Sequence, residues 1–259
     1  MRRARAPGLA GACGTGDAVS AVAATLGSMT EPSIPFPAPE LFELPRERAE
    51  IAPGAVHVPA WLGPEEQREL VLRCREWAAG PAPLRHAVLP GGGRMSVRST
   101  TLGRDWVPYR YLRTGEHRRA PDMPPWLAEL GRRAVLEAYG PGGPHVQDYR
   151  PDTALVNFYD ADARMGMHQD KDEASAAPIV SLSLGDACVF RFGNTQTRSA
   201  PYRDVELRSG DLFVFGGLSR YAFHGVPRVR PGTGAAELGM KGGRLNLTLR
   251  MTGLPGTVR

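Results

Sequence analysis

The chain has 259 residues, 42% of them apolar, which suffices for one substantial domain or for a domain carrying a tail. No run of eighteen apolar residues occurs and the Arg-rich start lacks the unbroken apolar stretch of a secretory signal, so no membrane span or partner is expected and a soluble, cytoplasmic protein is. Cys13, Cys74 and Cys188 are too few and too scattered for a disulfide framework or a paired-cysteine zinc site, while a net charge of +5 and a pI near 9.4 suit a polyanionic partner.

Residues 1–43 are rich in Ala, Gly and Pro without sustained periodicity, a composition that predicts a disordered leader followed by a Pro-rich arm. An organelle transit peptide is the alternative, since Arg2, Arg3 and Arg5 precede the first acid, Asp17. A first helix is expected from Pro64 to Gly80, with Leu70, Cys74 and Trp77 on one face, and a second from Trp126 to Tyr139, stopped by Gly140. Short β-like runs follow: Ala154–Tyr159, Ile179–Leu184, Ala187–Phe192, Asp211–Phe215, Tyr221–Val226 and Arg244–Met251. Helices first and many short strands later imply an α+β domain with a β-sandwich or jelly-roll core. No Gly-x-Gly-x-x-Gly or P-loop fingerprint precedes a helix, so nucleotide cofactors are not indicated.

The densest set of possible metal ligands is Met167-His168-Gln169-Asp170-Lys171-Asp172-Glu173. In an extended chain residues two apart share a face, so His168 and Asp170 can grip one ion while Gln169 points away. His224, in another β-like run, is the expected third ligand; two His and one carboxylate leave open positions, the arrangement suited to non-haem Fe(II). His57, His86, His117 and His145 lack such a carboxylate partner and read as structural or solvent-facing.

Arg244-Leu-Asn-Leu-Thr-Leu-Arg250 alternates without a break. Its polar face either meets water, as in an ordinary half-buried strand, or turns into a barrel. Turned inward, two arginines roughly 20 Å apart at Cα could converge on a short dicarboxylate of the length of 2-oxoglutarate.

In order and spacing, Asn157-Phe-Tyr159, His168-Gln-Asp170-Lys-Asp172-Glu173, Pro178-Ile-Val-Ser-Leu-Ser-Leu-Gly185, Gly210-Asp211, Gly216-Gly217, His224-Gly225 and Arg244-Leu-Asn246-Leu-Thr-Leu-Arg250 resemble the AlkB family of DNA and RNA dealkylases. The resemblance covers about residues 150 to 252 and continues more faintly through Met95-Ser-Val97. It implies a double-stranded β-helix with N-terminal helices and a nucleotide-recognition lid, which divides the chain into residues 1–43, 44–145 (helices and lid) and 146–259 (jelly-roll core). It further implies Fe(II) held by His168, Asp170 and His224, and 2-oxoglutarate held by Asn157, Tyr159, Arg244, Asn246 and Arg250, with Arg250 nearer the iron. With O2 as co-substrate, the implied reaction removes N-alkyl groups from bases as formaldehyde and leaves succinate and CO2. The family often has a glycine three residues after the tyrosine of its first motif; here that position is Asp162, so the turn into the metal segment is expected to differ.

Between Arg94 and Arg119 seven arginines (Arg94, Arg98, Arg104, Arg110, Arg113, Arg118, Arg119) interleave with Trp106, Tyr109 and Tyr111, a pattern suited to tracking phosphates and stacking bases, or else to a charged surface loop anchored by aromatics. By resemblance, Trp106 and Tyr111 contact the damaged nucleotide. Asp172 is expected to favour positively charged lesions such as 1-methyladenine and 3-methylcytosine over neutral bases, and Arg198 to contact phosphate. The expected partner is alkylated DNA or RNA, as a single strand or flipped base, bound by a monomer. A tRNA base, a protein side chain or a small molecule is the alternative substrate.

Overall fold

The computed structural model describes residues 46–112 and 120–255. The leader expected over 1–43 lies outside the described residues, as do Arg113, His117, Arg118 and Arg119. From Pro45 onward the chain forms one compact unit.

The order of elements is β1 (Ala49–Ala52), β2 (Ala55–Val58), α1 (Pro64–Ala79), β3 (Arg85–Val88), β4 (Arg94–Leu102), β5 (Trp106–Val107), β6 (Arg110–Tyr111) and α2 (Pro125–Tyr139). There follow β7 (Thr153–Tyr159), β8 (Met165–His168), β9 (Ile179–Gly185), β10 (Ala187–Phe192), β11 (Arg203–Leu207), β12 (Leu212–Phe215), β13 (His224–Arg230) and β14 (Arg244–Arg250). A major antiparallel sheet runs in the order β1-β2-β12-β9-β14-β7-β4-β3 and a minor one in the order β11-β10-β13-β8; β5 and β6 form a separate hairpin.

Both helices begin as their sequences dictate. Pro64 and Pro125 occupy the first turns, where an N–H would be unsatisfied in any case, and the Glu66 carboxylate accepts the Gly63 N–H at 3.1 Å. Their apolar stripes, Leu70, Val71 and Cys74 on α1 and Leu127, Leu130, Ala134 and Val135 on α2, pack on one face of the major sheet against Val180, Leu182, Leu245, Leu247 and Leu249. The opposite face meets the minor sheet across a second cluster that includes Ile179, Phe190, Phe192, Phe213, Phe215 and Val226. Two antiparallel sheets closed on a shared interior, with helices outside one of them, are the expected jelly roll.

Several local expectations change. The described part of the segment 44–145 supplies β1 to β4 to the major sheet as well as the two helices and the β5–β6 hairpin. The strand expected over Tyr221–Val226 starts only at His224, because Phe223 bonds through its backbone to Asn194 and Gly193 rather than to a ladder. The strand expected to carry both His168 and Asp170 ends at His168, where the Gln169 side chain donates to the carbonyls of Tyr221 (2.6 Å) and Thr195 (3.2 Å). At Asp162 no left-handed residue is needed: the turn closes through Ala163 N–H on the Asp160 carbonyl at 3.0 Å.

Candidate active site

The interior of the sandwich is polar where β14 lies between β7 and β9. Register pairs Arg244 with Tyr159, and Asn246 with both Asn157 and Ser183; it also sets Thr248 opposite Ser181. Since side chains alternate, these residues share one face, and that face is the inward one. Asn157, Tyr159, Ser181, Arg244, Asn246, Thr248 and Arg250 line a single cavity together with His168, Asp170 and His224. Of the alternatives left open by the sequence, the barrel-facing orientation of the Arg244–Arg250 polar face is the one observed.

The two histidines are direct cross-strand partners, His168 on β8 facing His224 on β13, with ring centroids 4.5 Å apart. Gly225 permits this approach, since a Cβ there would lie 2.7 Å from the Met165 carbonyl oxygen. Each ring is oriented by its own backbone: Nδ1 of His168 donates to Gly166 O and Nδ1 of His224 to Ala222 O, both at 3.0 Å. A carbonyl only accepts, so Nδ1 carries the proton and each Nε2 offers a lone pair. Asp170 completes the set, with carboxylate oxygens 3.6 Å from His168 Nε2 and 3.5 Å from His224 Nε2; the three atoms that could ligate an ion lie within 4.8 Å of one another.

The electrostatics prepare this group for a cation. Burial and the neighbouring His224 lower the His168 pKa to about 4, so the ring stays neutral at physiological pH. Burial alone would raise Asp170, but Arg250 and His224 hold its carboxyl well below the ordinary range. Arg250 in turn is held charged, burial being outweighed by Asp170, Tyr111 and Glu173.

Arg244 is 1% exposed, yet only one of its nitrogens has a partner, Nη2 donating to Ser183 Oγ at 2.8 Å. Its Nε and Nη1, and Nε of Arg250, are buried without any hydrogen-bond acceptor. Among the described residues no carboxylate pairs with Arg244, an expensive arrangement for a permanent charge unless an anion joins it. A facial set of two imidazoles and a carboxylate beside an unsatisfied buried guanidinium fits a divalent metal and a dicarboxylate.

The aromatics of the β5–β6 hairpin are tied to the same site. Trp106 Nε1 donates to Asp172 Oδ2 at 2.8 Å. Tyr111 is 4% exposed and donates through its hydroxyl to Glu173 Oε1 at 3.0 Å, close to Arg250 Nη1 at 3.4 Å. Arg198 stands on an exposed loop with its guanidinium 5.9 Å from the Phe223 ring centroid. Arg98 and Arg104 have protein partners: Arg98 pairs with Asp160 (3.1 Å) over the Phe158 ring, and the buried Arg104 lies 3.5 Å from Asp152.

Two residues of the site went unassigned in the sequence. Arg220, 1% exposed, donates to the Asp170 carbonyl (2.5 Å), the Ala177 carbonyl (2.7 Å) and Glu173 Oε2 (3.0 Å), and so fixes both the metal-ligand segment and the carboxylate that holds Tyr111. No local pattern marks it, for the acceptors of its guanidinium all lie more than forty positions away. Ser181, which receives Asn246 Nδ2 at 2.7 Å, could have been found from the alternation of Val180, Leu182 and Leu184 with Ser181 and Ser183.

Comparison with known proteins agrees with this geometry. Residues 54–250 match the 2OG-Fe(II) oxygenase superfamily. The chain is 42% identical over 210 residues to the alpha-ketoglutarate-dependent dioxygenase AlkB homolog of Caulobacter vibrioides, covering 77% of this chain and 88% of that one. It is 33% identical over 237 residues to the DNA N(6)-methyladenine demethylase ALKBH1D of Arabidopsis thaliana, covering 82% of this chain and about half (52%) of that longer relative. A solved structure of OsALKBH1 superposes with a TM-score of 0.67 at 31% identity, over 78% of this chain and all (100%) of that one. Match, fold and ligand set converge: the chain belongs to the AlkB group of the 2OG-Fe(II) oxygenases, enzymes that work with Fe(II) and 2-oxoglutarate.

Proposed function

We propose that the protein removes N-alkyl groups oxidatively from nucleic-acid bases, with His168, Asp170 and His224 holding the iron and Arg244, with Arg250, Tyr159, Asn157 and Asn246, holding 2-oxoglutarate. The observation that carries this reading is the coexistence, in one cavity, of the metal triad and a buried guanidinium with unsatisfied donors. When bound, Fe(II) and 2-oxoglutarate supply the oxidation of a C–H bond by O2, with succinate and CO2 as co-products. The chain's own contribution is placement and charge. Arg244 would pair with one carboxylate of the co-substrate, and Arg250, 2.8 Å from Asp170, with the other, nearer the metal ligands. Phe190 and Phe215 wall the site with apolar surface and limit water.

The substrate side rests on Trp106 and Asp172. Their hydrogen bond sets an aromatic ring and a carboxylate side by side, the pairing suited to a flat cationic base: the ring stacks and the carboxylate attracts. Glu173 is occupied by Arg220, Arg250 and Tyr111, which leaves Asp172 as the discriminating carboxylate. The named relatives support nucleic acid as the substrate class, since one is a DNA demethylase by name. A panel of oligonucleotides carrying 1-methyladenine, 3-methylcytosine or N6-methyladenine, in DNA and in RNA, tests this by formaldehyde release. Preference for the two cationic lesions, lost in Asp172→Asn, is expected; turnover of N6-methyladenine alone would transfer the assignment to a neutral base, and 2-oxoglutarate consumption without any formaldehyde would remove nucleic acid as the substrate.

A further inference from the structure

Strand β8 ends at His168, and no residue from Gln169 to Pro178 belongs to a strand or helix, so Asp170 sits on backbone that no ladder fixes. We propose that Arg220 takes the place of that ladder: it is a positioning residue that holds Asp170 in register with His224 before any metal arrives, and so sets the affinity of the metal site. The inference deepens the reading of His168, Asp170 and His224 as the metal ligands and rests on it.

The backbone is the first argument. Carbonyls of the unpaired segment converge on one side chain: Arg220 donates from Nη1 to Asp170 O (2.5 Å), from Nε to Ala177 O (2.7 Å) and, more distantly, from Nη2 to Ser175 O (3.5 Å). A planar guanidinium, with donors in fixed directions, holds such acceptors in one arrangement; an ammonium on a flexible stem does not. Arg220 itself stands just ahead of His224 on a turn closed by Arg220 N–H to Gly217 O (3.1 Å) and Ala222 N–H to Ser219 O (2.9 Å). The Ala222 carbonyl of that turn accepts His224 Nδ1 at 3.0 Å. One short segment therefore carries His224, aims its ring and grips the backbone of Asp170.

Charge is the second. The buried Arg220 pairs with Glu173, Nη2 to Oε2 at 3.0 Å, and the other oxygen of that carboxylate takes Arg250 Nη1 at 2.9 Å. Arg250 Nη2 in turn lies 2.8 Å from Asp170 Oδ2. Without Arg220, the ion pair of Glu173 with Arg250 would stand unshared and would draw that guanidinium away from Asp170. Well-packed apolar side chains commonly stabilise a fold at least as well as a buried ion pair, so the arrangement is explained by what it holds in place.

The test titrates Co(II), followed by its visible absorption, into the metal-free full chain of the wild type, His168→Ala, Arg220→Lys and Arg220→Ala, with circular dichroism to establish folding. Arg220→Ala is expected to bind Co(II) about 100-fold more weakly than the wild type and Arg220→Lys about tenfold, the range for groups that orient metal ligands. Methylguanidinium added to Arg220→Ala should recover most of the lost affinity. A folded Arg220 variant that binds Co(II) as the wild type does would overturn the inference and leave the metal reading intact. An equal loss in both variants, with no recovery by methylguanidinium, would mark a merely structural role and overturn it too. Wild type and His168→Ala binding Co(II) alike would instead remove the metal reading, and this inference with it. The wild type also decides without any Arg220 variant: in the metal-free protein the Arg220 Nε–H, resolved by 15N NMR, should exchange with water over hours, whereas exchange within seconds would show that the brace is not in place before the metal and would overturn the proposal.

Discussion

The two faces of β14 are built from one seven-residue strand and live under opposite rules. Leu245, Leu247 and Leu249 turn toward the helices into a cluster that is apolar throughout, where each methylene adds stability by leaving water. Arg244, Asn246, Thr248 and Arg250 turn toward the minor sheet, equally buried, and there Arg244 keeps two nitrogens with no acceptor. The first face holds the fold together. The second is tolerated by the fold because function completes it, so mutations on the two faces should separate stability from ligand binding.

The sharpest separation is expected from Arg244→Met. It should weaken 2-oxoglutarate binding by about 2–5 kcal/mol, read by calorimetric titration, and leave the melting temperature of the ligand-free protein unchanged or higher, because an unpaired buried charge has gone. A lower melting temperature with intact 2-oxoglutarate affinity would make Arg244 a structural residue and erase the distinction. Leu247→Ala, one position along the backbone from Asn246, should do the reverse: about 3 kcal/mol lost in urea unfolding, with 2-oxoglutarate affinity retained by the folded protein.

Asp211 sharpens the contrast as a buried charge that is fully partnered. It accepts Arg46 (2.5 Å), His57 Nε2 (2.9 Å) and the N–H groups of Ala60 and Arg208 (both 2.9 Å). Burial works against its ionisation, but His57 and Arg46 hold its pKa at about 2, below the ordinary carboxylate range. A depressed carboxyl contributes its stability above the unfolded pKa and loses it as pH falls through the folded one. About 2 kcal/mol should therefore disappear between roughly pH 4 and pH 2 in the wild type, and Asp211→Asn should lack that portion of the acid dependence in denaturant titrations. The smallest effect belongs to the β5–β6 hairpin: Trp106→Phe removes the donor to Asp172 and should cost about 1 kcal/mol in oligonucleotide KM, with 2-oxoglutarate affinity untouched.

Much of this was legible in the sequence where the signal is periodic or local. The unbroken alternation of Arg244–Arg250 defines the two faces, and proline and glycine mark both helices. What alternation does not say is which face turns inward; that follows from pairing with β7 and β9, a long-range fact. Arg220 was invisible for the same reason, since its acceptors at Asp170, Glu173 and Ala177 meet it only in the folded chain. Tyr221–Phe223 shows the opposite failure: an apolar run with β-like composition that is drawn into a turn by backbone bonds to Asn194 and Gly193. Among the arginines between Arg94 and Arg119, composition did not say that Arg98 and Arg104 engage Asp160 and Asp152.

The most direct test of the central claim measures succinate and formaldehyde together, from a single-stranded oligonucleotide bearing 1-methyladenine, for wild type and His168→Ala reconstituted with Fe(II). Equal amounts of the two products from the wild type, dependent on 2-oxoglutarate and absent in His168→Ala, are the predicted result. Formaldehyde released without 2-oxoglutarate, or at the wild-type rate by His168→Ala, would contradict it.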